Sequence, residues 1–249
     1  AGIGLRTGVG VIEARRANLG HVMRITEGRP MVSVKLAQTR DGFAAGGAHD
    51  PRLMITGAAA NGRVQVMRAM HDAIMVGVGT VLADDPLLTV RLPGLEARKP
   101  LRIVLDTHLR TPIASRLVAT AKEHRTLVIC SDEAPVAAAS ALEGQGVEVL
   151  RVARGASGRL DLRQALRALG KRGITRVLSE GGPMVASELI LNGLADEVAL
   201  FTAPKPFGGQ GVPALSIEAR RALEAEARFR RIEEGQAGAD RFVCFERII

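Results

Sequence analysis

The sequence predicts an α/β fold built on a mostly parallel mixed sheet, with an antiparallel C-terminal edge and helices on both faces. Three observations carry that prediction. Runs rich in Val, Ile and Leu recur at residues 31–37, 73–78, 101–106, 126–130, 147–152, 174–180, 197–203 and 241–248. Helical patterns lie between several of them, best at 58–70, 162–171 and 183–191, and strands that alternate with helices pair in parallel beneath a helical layer on each face. The final two strands are joined differently, by a Pro- and Gly-rich loop at 204–213 and a charged, Ala-rich segment, which predicts an antiparallel edge.

Taken in order, the first 28 residues contain a short strand-like piece and then a helical piece at 13–25 that ends at Gly28. They read as an N-terminal arm or as the tail of a preceding domain. In the first core strand, MVSVKLA, alternation puts Val32, Val34 and Leu36 on one face and Ser33, Lys35 and Ala37 on the other. A lysine in mid-strand is costly to bury without a partner, so that second face is either wet or lines a cleft. The helix that begins after Thr56 carries Arg63 and Arg68. These are solvated surface, or guanidinium groups placed to grip an anion with two hydrogen bonds.

Strand 73–78 runs into GVGTVLADDP, where Gly77 and Gly79 match part of a dinucleotide fingerprint whose third glycine is missing. A tight strand-to-helix turn explains them equally, with Thr80 as a possible cap, and Asp84-Asp85-Pro86 reads as a helix terminator, not a metal site. Strand 101–106 ends in THLRTP. In helix 162–171, Leu162, Ala165, Leu166 and Leu169 form one apolar stripe. Strand 174–179 enters EGGPMVASEL, where Gly181 and Gly182 lack Cβ atoms and Pro183 suits a first helical position that needs no N–H donor. Such a helix start binds anions through its unpaired N–H groups and macrodipole. A carboxylate beside it repels phosphate, so Glu180 better suits sugar hydroxyls or a nitrogen; an ordinary βα turn is the alternative.

Composition narrows the function. The net charge of +8 favours anionic partners without choosing among nucleic acid, anionic surfaces and phosphorylated small molecules. The arginines are scattered, which argues against a nucleic-acid tail. Trp and Tyr are absent and Phe numbers six, so a platform that stacks bases on Trp or Tyr is excluded. Cys130 and Cys244 sit in strand-like stretches and the five histidines show no metal spacing, which argues against a metal site or disulfide framework and for a reducing cytoplasm. No apolar run reaches the roughly 18 residues of a membrane span. His49, His71 and His108 have no motif around them, so nucleophilic catalysis is poorly supported, and a phosphorylated cofactor that carries the chemistry fits better.

The ordered blocks KLAQTRDG (35–42), ITG (55–57), QVMRA (65–69), GVGTVLADDPLLTVR (77–91), RIVLD (102–106), EGGPMVA (180–186) and VALFTAPKPFGG (198–209) resemble the reductase half of the bifunctional riboflavin-biosynthesis deaminase/reductases. The resemblance covers residues 29–249 and implies a dihydrofolate-reductase-like three-layer fold, a homodimer, and NADPH-dependent reduction of 5-amino-6-(5-phosphoribosylamino)uracil to 5-amino-6-(5-phosphoribitylamino)uracil. It implies cofactor contacts at Ala37, Thr80, Asp84, Thr107, Gly182, Pro183, Met184, Val185, Ala186 and Ser187, with Arg110 near the 2′-phosphate. It implies substrate contacts at Arg68, Leu88, Arg91 and Glu180, and a catalytic role for Lys35 with Glu180.

Where many relatives carry Gly-Glu-Ser-Lys-Trp before ITG, this chain has GAHDPRLM, which puts Arg52 and Met54 nearest the lost serine and tryptophan and makes Arg52 the candidate replacement for the serine as a substrate contact. The usual Tyr of the late strand is absent, with Phe201-Thr202 instead. Residues 1–28 resemble the end of the deaminase half, yet the H-x-E and P-C-x-x-C signature of the zinc deaminases is nowhere in the chain, so no deaminase activity is expected of it. A reductase of the same fold acting on a pterin-like substrate, and a non-catalytic basic binding protein, are the alternatives.

Overall fold

The computed structural model describes residues 2–47 and 53–248. Along the chain run α1 Val11–Ala17, α2 Leu19–Thr26, β1 Met31–Gln38, β2 Phe43–Ala45, α3 Ala58–Ala69, β3 Ala73–Gly77, α4 Val78–Asp84, β4 Leu101–Leu105, α5 Arg116–Ala119, β5 Thr126–Ser131 and α6 Val136–Gly144. Then come β6 Glu148–Val152, α7 Leu162–Lys171, β7 Arg176–Ser179, α8 Pro183–Leu191, β8 Glu197–Thr202, β9 Val212–Pro213, α9 Ile217–Glu224, β10 Phe229–Ala237 and β11 Asp240–Arg247.

Among the described residues the main sheet has nine strands in the order β10-β11-β8-β1-β7-β3-β4-β5-β6, and β2 pairs with β9 apart from it. From β8 to β6 every pairing is parallel; β11 joins β8 antiparallel and β10 joins β11 antiparallel. The predicted mixed sheet and its antiparallel edge are therefore present.

Alternation along each strand divides the core into two. Val34, Leu36, Met75, Ile103 and Ile129 pack beneath α7, α8 and α9 on one face, while Ile74, Val76, Val104, Val128 and Cys130 pack beneath α4, α5 and α6 on the other. On that second face α3 lays Ala60 and Val64 over Ala199, Phe201 and Phe242. The stripe of α7 is buried as its sequence requires, and Asp161 caps the helix by accepting from the N–H groups of Arg163 and Gln164 at 2.9 and 3.1 Å. Gly170 closes it because a Cβ there would lie 2.5 Å from the carbonyl oxygen of Gly28.

Three readings need correction. Residues 2–10 hold no strand, and the helical piece that follows is two helices broken at Asn18. Strand β10 lies in the segment that reads as charged and Ala-rich. Its FRRIEEGQA sequence shows no apolar alternation because an edge strand exposes most of its side chains, and charges there block further pairing. The short β2 and β9 went unread as well.

A buried ion cluster fastens the start of β1. Asp196, 1% exposed, accepts from Arg29 Nη1 and Nη2 at 2.7 and 2.9 Å, from Arg247 Nε and Nη2 at 3.1 and 2.9 Å, and from the Val32 N–H at 2.9 Å. The α2 helix is docked too, through Leu19 and Met23 on Met31 and through Arg24 Nε to the Gly170 carbonyl at 2.9 Å.

Candidate active site

The site is built at the carboxyl edge of β1, β7 and β3. After β3 the chain turns into α4 on one face of the sheet, and after the neighbouring β7 it turns into α8 on the opposite face. Connections that diverge from adjacent parallel strands open a crevice at their carboxyl ends, where α/β proteins bind ligands.

Glu180 follows β7 directly, and its N–H donates to the Met75 carbonyl of β3 at 2.9 Å. Its carboxylate is gripped by Arg68 of α3, Nε to Oε1 at 2.6 Å and Nη2 to Oε2 at 2.8 Å, with the two side chains 11% and 12% exposed. The remaining Nη1 of Arg68 donates to the Thr89 carbonyl at 3.0 Å. Arg68 thus has every guanidinium nitrogen engaged and works as the holder of Glu180.

Thr89 belongs to the loop 85–91. Leu88, the expected substrate contact, holds a left-handed backbone at φ 52 and buries its side chain in the α4–α6 core, so only its backbone faces a ligand. Strain of this kind persists where neighbours enforce it. The enforcing neighbour is Arg102, a fully buried side chain on β4 that donates to the Leu87 carbonyl at 3.2 Å, to the Leu117 and His124 carbonyls and to the hydroxyls of Thr120 and Thr126. With no carboxylate beside it, burial lowers its pKa to about 10. Arg91 is exposed, with its N–H tied to Gln65 Oε1 of α3 at 2.7 Å.

Lys35 is half-buried on β1, in register with Ala199, and its Nζ lies 5.9 Å from the centre of the Phe201 ring. Ala37 is half-buried on the same face of β1.

At the start of α8 the two glycines have different reasons. A Cβ on Gly181 would lie 2.9 Å from Val185 Cβ, so the chain's own packing demands glycine there. A Cβ on Gly182 would meet only Thr80 Oγ1, at an ordinary 3.6 Å. It would instead fill the slot between α4 and α8, whose N-cap Gly182 makes no side-chain capping bond. Pro183 stands at the first helical position and Met184 is exposed. Val185 packs against the core, Ala186 is buried, and Ser187 Oγ accepts from the Ser216 N–H at 2.9 Å, so the α8 turn can offer a ligand its backbone and not these side chains.

Asp84 ends α4, half-buried, and the terminator reading holds: Asp85 takes a left-handed turn at φ 38 and accepts from the Arg116 N–H at 2.8 Å. Thr107 is half-buried just beyond β4, and Arg110 is exposed. Arg52 lies outside the described residues. Met54 is exposed at the start of the segment leading to α3.

Arg102, and a chain of Ser33, His71 and Glu197 beneath Lys35, escaped sequence reading. Their partners are distant in sequence, and the one available signal was the polar residue within an apolar strand: Ser33 in MVSVKLA and Arg102 in LRIVL.

The RibD C-terminal domain model matches residues 30–238. The riboflavin biosynthesis protein RibD of Aquifex aeolicus is 33% identical over 248 residues, 99% of this chain and 66% of that protein. The 2,5-diamino-6-ribosylamino-4(3H)-pyrimidinone 5′-phosphate reductase of Archaeoglobus fulgidus is 36% identical over 198 residues, 75% of this chain and 86% of that one. The solved structure of Acinetobacter baumannii RibD, form 2, matches with a TM-score of 0.82 at 26% identity, covering 99% of this chain and 66% of that one. The chain spans between 50% and 66% of the length of the first RibD relatives it matches. The chain belongs to the RibD C-terminal domain family, the reductases of riboflavin biosynthesis.

Proposed function

We propose that the chain reduces the ribosylamino group of 5-amino-6-(5-phosphoribosylamino)uracil to a ribitylamino group with NADPH. The single observation that carries this reading is the pairing of a carboxylate fixed by Arg68 with the open, uncapped α8 turn one residue further on. One is suited to sugar hydroxyls and the other to a diphosphate.

The cradle fits a dinucleotide, since Gly182 leaves open the slot that a side chain would fill. NADPH bound there would supply the hydride to C1′ of the opened sugar. Backbone N–H groups at the start of α8, with Thr80 beside them, would hold its diphosphate; Ala37 and Asp84 would border it, and Thr107 with Arg110 would receive the 2′-phosphate. Glu180 would hold the ribose hydroxyls, and Arg91 would take the 5′-phosphate. Lys35, half-buried on β1, would protonate or polarise the sugar where its ring opens. The residues' work is positioning and proton supply. Substrate-dependent NADPH oxidation tests the reading, and equal rates with NADH would remove the assignment of Thr107 and Arg110.

A second substrate is favoured by one finding: the Archaeoglobus fulgidus relative, whose length this chain covers well, is named for the 2,5-diamino-pyrimidinone phosphate. Comparing kcat/KM for the two pyrimidines decides between them. Assembly as a homodimer, a cytoplasmic setting and a deaminase domain preceding residues 1–28 complete the proposal. One relative by structure, from Thermotoga maritima, is described as a deaminase/reductase.

A further inference from the structure

Ser33, His71 and Glu197 form a buried hydrogen-bonded chain beneath the site. His71 Nδ1 lies 2.6 Å from the Met67 carbonyl oxygen and His71 Nε2 3.0 Å from Ser33 Oγ, which lies 3.0 Å from Glu197 Oε2. Each contact needs one hydrogen between its two heavy atoms. A carbonyl has none to give, so Nδ1 must carry a hydrogen. A neutral imidazole then offers a lone pair at Nε2, and this takes the Ser33 hydroxyl hydrogen. Nothing remains to join Ser33 Oγ to a Glu197 carboxylate. All three contacts hold together only with one further proton, on the imidazole or on the carboxyl.

Burial decides where it sits, because removal from water disfavours the charged form of either group. It holds the His71 pKa down to about 4 and pushes that of Glu197 up. The proton belongs to Glu197, which donates to Ser33; Ser33 donates to His71, and His71 donates to Met67. The charged neighbours leave that order in place. Arg176, Asp72 and Glu180 act on His71, with Arg176 opposing its protonation. Arg176, Glu246 and Arg16 act on Glu197, and Glu246, opposite it on β11, is itself engaged by Arg16 and Arg230.

The chain joins the elements that carry the site. Ser33 precedes Lys35 by two residues on the same face of β1, and Met67 is the neighbour of Arg68 in the last turn of α3. We propose that Glu197, Ser33 and His71 are positioning residues, a clamp closed by one proton that keeps Arg68 and its partner Glu180 in register with Lys35. The functional part of this proposal rests on the reductase reading; the proton count does not. The clamp opens when rising pH strips Glu197.

Two measurements on the intact chain test it. Nitrogen-15 NMR of the His71 ring at neutral pH should show a neutral imidazole protonated at Nδ1, and an imidazolium would overturn the proton assignment. Hydrogen exchange in the last turn of α3, followed as pH rises through the ionisation of Glu197, whose pKa burial raises, should lose protection once the carboxyl is stripped. Glu197→Gln, whose amide donates to Ser33 without titrating, should keep protection throughout. Equal protection in both proteins at every pH would overturn the clamp even if the chain proves to have no turnover.

With turnover, Glu197→Gln should retain kcat and lose the alkaline fall in rate. Glu197→Ala should lower kcat on the order of 10²-fold, the cost of a misplaced reactive group, with the KM for NADPH unchanged. A Gln variant as impaired as the Ala variant, or one that keeps the alkaline fall, contradicts the proposal.

Discussion

Arg68 and Glu180 are joined by two charge-assisted hydrogen bonds, Nε to Oε1 at 2.6 Å and Nη2 to Oε2 at 2.8 Å, although 112 residues separate them. The fork fixes the carboxylate plane before any substrate arrives, and the third bond, from Nη1 to Thr89, fixes the loop 85–91 to the same guanidinium. Arg68 therefore ties Glu180 and Thr89 to one guanidinium.

Arg68→Lys keeps the charge but loses the fork, since an ammonium cannot make two parallel bonds to one carboxylate. It should lower kcat about 10²-fold through a displaced Glu180, with NADPH affinity unchanged. Steady-state kinetics check this: a rise in substrate KM with kcat intact would return Arg68 to the role of phosphate anchor. Glu180→Gln should likewise spare NADPH binding while crippling turnover.

The two glycines at α8 separate packing from binding. Gly181→Ala puts a Cβ 2.9 Å from Val185 Cβ and should cost about 1–3 kcal/mol in urea unfolding. Gly182→Val should leave stability within about 0.5 kcal/mol and weaken NADPH, read by titration calorimetry. The reverse order of effects would move the cofactor out of this slot.

Asp196→Ala removes the buried one of the two carboxylates that Arg29, 1% exposed, and half-buried Arg247 share, leaving them Glu27. Loss of that buried partner should cost about 3 kcal/mol in denaturant unfolding, the low end for a broken buried pair. A loss below about 1 kcal/mol would mean the cluster is replaceable.

The His71 pKa is depressed from 6.5 to about 4 in the folded chain. The unfolded chain therefore binds the proton more readily, so this contribution is complete above about pH 6.5 and is lost as pH falls toward 4. It amounts to about 3 kcal/mol, and His71→Asn should flatten that part of the stability curve relative to the unmodified protein. Parallel curves for the two proteins would contradict the buried neutral imidazole.

Much of this was legible in the chain. Strands buried on both faces announce themselves as apolar runs, and Gly182-Pro183 announces a helix start with free N–H groups. Lys35 stood out because it broke an apolar strand. What was illegible depends on distance or on edges. Nothing in QVMRA says that Arg68 turns toward Glu180. Gly181 and Gly182 look alike until Val185 is folded against one of them. Strand β10 reads as a charged segment because an edge strand has little to bury, and nothing in the sequence marks the left-handed backbone at Leu88 or the burial of its side chain.

The central claim is tested most directly by incubating the chain with 5-amino-6-(5-phosphoribosylamino)uracil and NADPH deuterated at both C4 positions, then weighing the product. Stoichiometric cofactor oxidation and a ribitylamino product carrying one deuterium on C1′ are expected. Absence of substrate-dependent NADPH oxidation, or a product without that deuterium, would contradict it.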